Sequence, residues 1–480
     1  MHQVFLIAEI ARHIVDLASH DDKVWHGRRY QDLLNIALTC KALSGVALDA
    51  LWAKVVDLDN ILRLLPDLEG AGDSSLTITE AFLRNSRRVK ELDLGHTAYR
   101  RKTRAVSAHA SLDDLHAFCK QNRVDLFPRL HSVTIRHREW RLAHAAVFIT
   151  SHLTFLSIND VYDIPDRPVE SVLPTTQDLV HSLIKASPSH LTTLRIRRLP
   201  LDVPLLARLP ELPSLQEVSI LLTASAGKDR NFLHTLNRVW QMPSLTGLHI
   251  LYGGPTELYQ PEGPLLVDAN LLVSDQTLIG PVRATTTMIR HGPNARTLDI
   301  VATELASSED WDAALTAVFE HSTQTMQTLS VQKDIRWPDL STMTPLPAAI
   351  MLTMPRYDNI QTLVLNIPLD WTDSIVDHVA RSCPAITVVD IGNEIKNPRL
   401  TSASLVSLAV ECLKLESFTA VLSSNNESLM RGWEALPRDF AGNPILVKLA
   451  VQLLPVPQKR NQKYYALLRK LFPNRNTRLK

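Results

Sequence analysis

Aliphatic residues recur along this chain at two different periods, and the change of period divides it. Up to about residue 65 they fall three and four apart: Ile7, Ile10, Ile14 and Leu17, then Leu33, Leu34, Ala37 and Leu38 with Lys41, then Leu48, Leu51, Trp52 and Val55. That spacing places each set on one face of a helix. A polar linker with Asp21, Asp22 and Gly27 parts the first two helices, and Asn60 to Pro66 reads as a short fourth, ended by its proline. From residue 89 the pattern becomes aliphatic-x-x-aliphatic-x-aliphatic. It starts at Val89, Leu130, Leu153, Leu191, Leu215 and Leu245, and again at Ala295, Met326, Ile360, Ile386, Leu415 and Leu446. Alternation of this kind predicts short strands with one buried face.

The context of these segments strengthens them. Most follow a turn signal such as FPRL, LPSL, MPSL, GPNA or CPAI, and several lie downstream of a helical run, as NFLHTLNRVW does before Leu245. Helix, turn, strand and loop in rotation is the unit of a leucine-rich repeat, so the predicted fold class is α/β, a helical module followed by an irregular leucine-rich-repeat solenoid with short parallel strands and outer helices. Successive starts lie about 32 residues apart on average, above the ~20–29 usual for such repeats. The longest interval, Leu245 to Ala295, reads as an inserted surface loop around YGGPTELYQPEGP. The predicted divisions are residues 1–65, 66–454 and 455–480.

Side chains between the aliphatic positions face away from the core and line the predicted concave surface, among them Arg136, Arg195, Arg197, His249, Asp299 and Asp390. These six are the expected target-binding positions. Arg136 and the Arg195/Arg197 pair sit on strands separated by one repeat, about 10 Å apart. The three guanidinium groups are therefore expected to converge on an acidic or phosphorylated segment. The competing expectation is pairing with Asp160, Asp163 or another local acid.

Composition narrows the function. Lys plus Arg total 51 against 50 for Asp plus Glu, which gives no global attraction to nucleic acid or membrane. Neither is expected as a partner. Cys40, Cys119, Cys383 and Cys412 form no C-x-x-C pair, so they read as reduced, mostly buried thiols of a cytoplasmic or nuclear protein with no metal. The first seventeen residues lack the early basic region of a signal sequence, and no stretch reaches the ~20 apolar residues of a membrane span. Phosphate-loop, dinucleotide, zinc-protease and serine-hydrolase motifs are all absent, so neither catalysis nor a cofactor is expected. After Asp439 every charged residue is basic, and between Lys463 and Phe472 basic side chains interleave with Tyr464, Tyr465, Leu467, Leu468 and Leu471. Such a helix suits an anionic surface. It equally suits the sealing of a repeat array, which is the role expected here.

One resemblance sharpens the N-terminus. The segments VFLIAEIARHIVDL and DLLNIALTCKALSGVALDALW resemble the F-box-like module that opens many fungal leucine-rich-repeat proteins. Val4, Phe5, Ile7, Glu9 and Ile10 match its V-F-x-I-P-E-hydrophobic start; the family's proline is Ala8 here. Ala37, Leu38, Cys40, Lys41, Ala47, Leu48, Asp49, Leu51 and Trp52 match its A-L-x-C-K and A-L-D-x-L-W centre. The resemblance implies a substrate receptor of a Skp–cullin–F-box ubiquitin ligase, with a target protein held by the repeats. A Skp-type adaptor of the cullin complex would be held by Val4, Phe5, Ile7, Ile10, Leu34, Leu38, Lys41 and Trp52. The alternative is an interaction scaffold without a ligase link, its first helices serving only as a cap.

Overall fold

All twelve segments that carry the aliphatic triplet form strands. The computed structural model describes residues 26–39, 41–56, 79–94, 125–135, 148–159, 173–186, 189–254, 272–304, 306–321, 325–333, 346–391, 399–423, 426–440, 448–454, 461–473 and 476–479, with His13, Val15, Leu258 and Gly442. The first helix expected from the sequence lies outside them apart from His13 and Val15, as do Cys40, Cys119, the Asn60–Pro66 segment and most of YGGPTELYQPEGP. The chain divides into two units, Met1–Leu221 and Leu222–Lys480.

In the first unit, α1 (His26–Thr39) and α2 (Lys41–Ala53) pack together. Val15, Leu33, Ala37 and Ala47 form their buried centre, with Ile36, Leu48 and Leu51 at its margin. Val55 departs from its expected place on a helical stripe. It lies in β1 (Lys54–Val55), which pairs in parallel with β2 (Glu91–Leu94). The sheet thus begins inside the segment expected to be wholly helical. Between them α3 (Glu80–Ser86) is capped by Thr79, whose Oγ1 accepts from Phe82 N at 3.1 Å. Parallel pairing continues through β3 (Ser132–Ile135), β4 (Phe155–Asn159) and β5 (Thr193–Leu201). Next to β5 lies β6 (Glu217–Leu222), whose Glu217 N donates to Thr192 O. The α4 helix (Leu173–Ala186) packs on β5, and the single turn α5 (Val203–Leu206) follows that strand.

The first aliphatic of each triplet and the two in its strand are the apolar layer: Leu153, Leu156 and Ile158, or Leu191, Leu194 and Ile196, are each at most 3% exposed. The first intervening residue has its own use where it is threonine. Thr154 Oγ1 donates to His131 O at 2.8 Å, and Thr192 Oγ1 to Thr154 O at 3.0 Å. Each hydroxyl satisfies a backbone acceptor of the preceding repeat just outside the strand ladder.

The second unit repeats the plan: α6 (Phe232–Trp240), β7 (Gly247–Tyr252), β8 (Leu272–Gly280), α7 (Val282–His291), β9 (Asn294–Ala302), α8 (Ser308–His321) and β10 (Thr328–Lys333). A separate two-stranded ladder, β11 (Leu346–Pro347) with β13 (Leu369–Asp370), flanks β12 (Thr362–Asn366). Then come α9 (Asp373–Ser382), β14 (Val388–Asp390), α10 (Ser402–Glu411), β15 (Ser417–Ser423), α11 (Asn426–Ala435), β16 (Lys448–Leu454), α12 (Asn461–Leu471) and β17 (Asn476–Leu479). From β7 to β17, leaving aside β11 and β13, the strands form one parallel series. One strand per repeat, paired in parallel and alternating with helices, is the α/β leucine-rich-repeat fold. No helix among the described residues is long and apolar enough to cross a membrane.

Two expectations change. The interval from Leu245 to Ala295 is not a plain insertion; it holds a further strand and helix, β8 and α7. The basic C-terminal segment is a helix followed by a strand, since β17 pairs with β16.

The β8 strand carries Gln276 where its neighbours carry Leu248 and Leu298. Gln276 is 3% exposed, and its Nε2 has no hydrogen-bond partner among the described residues. An unmatched buried amide costs about 1–3 kcal/mol. Gln276→Leu should therefore raise the unfolding midpoint by a few degrees in a thermal melt. A lowered midpoint would show that the amide has a partner of its own.

Candidate recognition surfaces

The geometry of α1 separates residues that sequence spacing leaves together. Leu33 and Ala37 face α2 and are buried, whereas Leu34 is 39% and Leu38 76% exposed. The exposed pair stands one turn apart, so it forms an apolar strip about 100° around the helix from the buried pair. Lys41 opens α2, and Trp52 is half-buried near its end. Val4, Phe5, Ile7 and Ile10 lie outside the described residues. Asp49 receives Arg88 Nη1 at 2.6 Å, and the same nitrogen donates to Gly45 O at 2.9 Å. This pair joins α2 to the turn between α3 and β2, so the helical module is tied to the sheet at two points, here and through β1.

On the open face of the first unit, the expected cluster of three arginines is corrected at Arg195. Its Nε donates to Glu217 Oε1 at 2.8 Å, and its guanidinium lies over the Phe155 ring, 5.7 Å from the centroid. Arg195 is already neutralised by a local acid, and the pair holds it across β4, β5 and β6. The acid is neither Asp160 nor Asp163, which lie outside the described residues together with Arg136; Arg197 sits on β5, its side chain undescribed. Phe155 and Glu217 were missed because each is the second intervening residue of its triplet, just before the strand's first buried position. That place also faces outward, since side chains alternate along a strand.

In the second unit the strand register builds two continuous rows. One passes through His249, Thr277, Asp299, Ser330, Val364 and Asp390. The other passes through Gly247, Asp275, Thr297, Thr328, Thr362 and Val388. Beyond β14 the first row continues through Thr419, Ala450 and Arg478, and the second through Ser417, Lys448 and Asn476. The expected positions His249, Asp299 and Asp390 thus share one row. Asp299 Oδ1 is shielded from solvent and accepts no hydrogen bond among the described residues. Beside it, the Ser330 hydroxyl accepts from Gln332 Nε2 at 2.7 Å.

A cavity of about 370 Å³ lies between α4 and α5, lined by Gln177, Asp178, His181, Pro204, Leu205 and Arg208. Gln177, His181 and Arg208 are committed to protein partners. Gln177 Nε2 donates to Asp202 at 2.8 Å, Arg208 Nη1 lies 2.7 Å from His181 Nδ1, and Arg208 Nε donates to Glu211 at 3.0 Å. No group of three His, Cys, Asp or Glu among the described residues is placed to hold a metal ion. Cys383 and Cys412 are buried thiols in no disulfide, at the ends of α9 and α10, and burial pushes the pKa of each up to about 12.

No protein-family model matches the chain, and no curated protein is significantly similar in sequence. Among solved structures the chain is similar to Rad7 in the yeast Rad7–Elc1 complex, with 14% identity and a TM-score of 0.36 over 79% of this chain and 85% of that one. It is also similar to the leucine-rich-repeat protein LegL7 of Legionella pneumophila, with 12% identity and a TM-score of 0.30 over 70% of this chain and 95% of that one.

Proposed function

We propose that the chain is the substrate-recognition subunit of a Skp–cullin–F-box-type ubiquitin ligase, its N-terminal module docking a Skp-type adaptor and its repeats holding a target protein. The carrying observation is the exposed Leu34–Leu38 strip on α1, within the residue series that resembles an F-box-like module. Two apolar side chains one turn apart on a solvent face serve no purpose in the module's own core and suit helix-on-helix docking. The Asp49–Arg88 pair and β1 fix that strip relative to the first repeats. The subunit would act by proximity, raising the local concentration of target beside a ubiquitin-charged enzyme, with no covalent step on this chain.

The test is co-purification of the full chain with a Skp-type adaptor. Burying a leucine at an interface contributes about 1.5–3 kcal/mol. Leu34→Asp with Leu38→Asp should therefore weaken capture by at least about 100-fold. The melting temperature should hold, since both positions are solvent-facing. Undiminished capture by the double variant, or none by the wild type, would leave an interaction scaffold without a ligase link.

A further inference from the structure

On the open face of the first unit, Ser132, Phe155 and Thr193 are register partners on β3, β4 and β5. Glu217 on β6 joins their row, since its N–H donates to Thr192 O just as that of Thr193 donates to Thr154 O. Phe155 and Glu217 are thus two strand steps apart, about 10 Å. Arg195 stands two residues beyond Thr193 on the same face of β5, and its guanidinium reaches back between them. Its Nε and Nη2 both donate to Glu217 Oε1, and its central carbon lies 5.7 Å from the Phe155 ring centroid.

The core does not call for an aromatic residue at this place. The buried layer of β4 is supplied by Leu156 and Ile158, whereas Phe155 points the other way and is half-buried. Arg195 is not enclosed either, for its side chain is 42% exposed against 26% for Glu217. The register neighbours of the pair are short: Ser132 and Thr193 beside Phe155, Ser157 beside Arg195. Ring and guanidinium therefore stand above the face around them.

Two consequences decide what such a feature can hold. The guanidinium is fixed before any partner arrives, because charge-assisted hydrogen bonds to a carboxylate and an adjacent ring already restrict a side chain that binding would otherwise have to order. Its charge is also matched. An anionic group gains little from it and brings a second negative charge beside Glu217. What the cluster offers is flat and weakly hydrated: the open face of the guanidinium, which stacks on aromatic groups, and the Phe155 ring next to it.

We infer that Phe155 and Arg195 seat an aromatic side chain of the target protein, stacked on the open face of the guanidinium beside the phenyl ring. At Arg195 an aromatic group takes the place of the acidic segment that the arginine spacing suggested. This deepens the recognition role proposed above and rests on it.

The experiment selects a random twelve-residue phage-displayed peptide library in parallel on the full chain and on its double variant Phe155→Ala with Arg195→Ala. Expected are peptides rich in Tyr, Trp or Phe from the wild type and not from the double variant, bound with little salt sensitivity. Each single change to Ala should weaken them at least about tenfold. Melting temperatures should stay within a few degrees of wild type, since both side chains lie outside the core. Arg195→Lys keeps the charge and loses the planar face, so it should weaken them as well. Acidic peptides selected by the wild type, aromatic enrichment that survives in the double variant, or equal binding by either Arg195 variant would overturn the inference. Adaptor co-purification on the same preparations separates the two proposals. Aromatic peptides bound without adaptor capture would sink the ligase reading alone; adaptor capture without aromatic selection would sink this inference alone.

Discussion

Removing residues 458–480 should abolish cooperative folding of the second unit or lower its melting temperature by ten degrees or more. The α12 helix inserts Leu467, Leu468, Leu471 and the following Phe472 into the interior, each at most 1% exposed, while Arg469 and Lys470 face solvent. Burying each such side chain is worth about 1.5–3 kcal/mol, so together they contribute about 6–12 kcal/mol. That is of the order of a whole domain's stability. The packing is tight: a Cβ at Gly432 on α11 would come within 3.0 Å of Leu467 and 2.2 Å of the Ser402 hydroxyl at the start of α10. Three successive helices meet there, and deletion would remove α12 and uncover α10 and α11. The truncation would also strip β17 from β16 and leave an unpaired strand edge. Calorimetry of the truncated protein checks this. Intact stability together with loss of salt-sensitive binding to anionic vesicles or RNA would instead assign the segment to an anionic surface.

What the sequence conveyed, and what it did not, follows from the kind of signal each feature leaves. The twelve repeat strands were legible because pairs such as Val133 and Ile135, or Leu194 and Ile196, alternate with polar neighbours and follow a turn. The β8 strand was hidden because Gln276 replaces the aliphatic residue on which the pattern depends. The β1 strand has only two residues, and β17 carries a single aliphatic residue, Leu479, so neither shows the pattern. On α1, Leu33 and Leu34 are adjacent and equally apolar, so composition could not say which faces inward; the packing of Ala37 and Ala47 decides it. Arg195 needed register. Its acid lies on the next strand, at a different place in the triplet, and no spacing along the chain connects residues 195 and 217.

Gly227→Ala should destabilise the second unit by several degrees, through a clash that cannot relax. Tyr252, at the end of β7, is 1% exposed, and its ring occupies space left by glycines. A Cβ at Gly227 would lie 2.0 Å from the Tyr252 hydroxyl oxygen and 2.7 Å from Leu258 Cδ2; one at Gly254 would lie 2.3 Å from the same hydroxyl. At Gly280 the nearest atom is the Tyr252 carbonyl oxygen, at 3.2 Å, so that site is crowded but not blocked. An enclosed ring has no free rotamer to adopt, and the added methyl must move backbone. Overpacking of this kind costs typically ~1–3 kcal/mol, and a 2.0 Å approach belongs at the upper end. The Tyr252 hydroxyl itself adds nothing to offset this. It has no hydrogen-bond partner among the described residues, and burial pushes its pKa up to about 12. Tyr252→Phe alone should therefore be neutral or slightly stabilising. In the Gly227→Ala background the same change removes the nearest clashing atom and should recover part of the loss. The positive coupling energy from this double-mutant cycle, measured by thermal or denaturant unfolding, is the quantity to test. Additive effects would mean that the segment around Gly227, and not the ring, gives way.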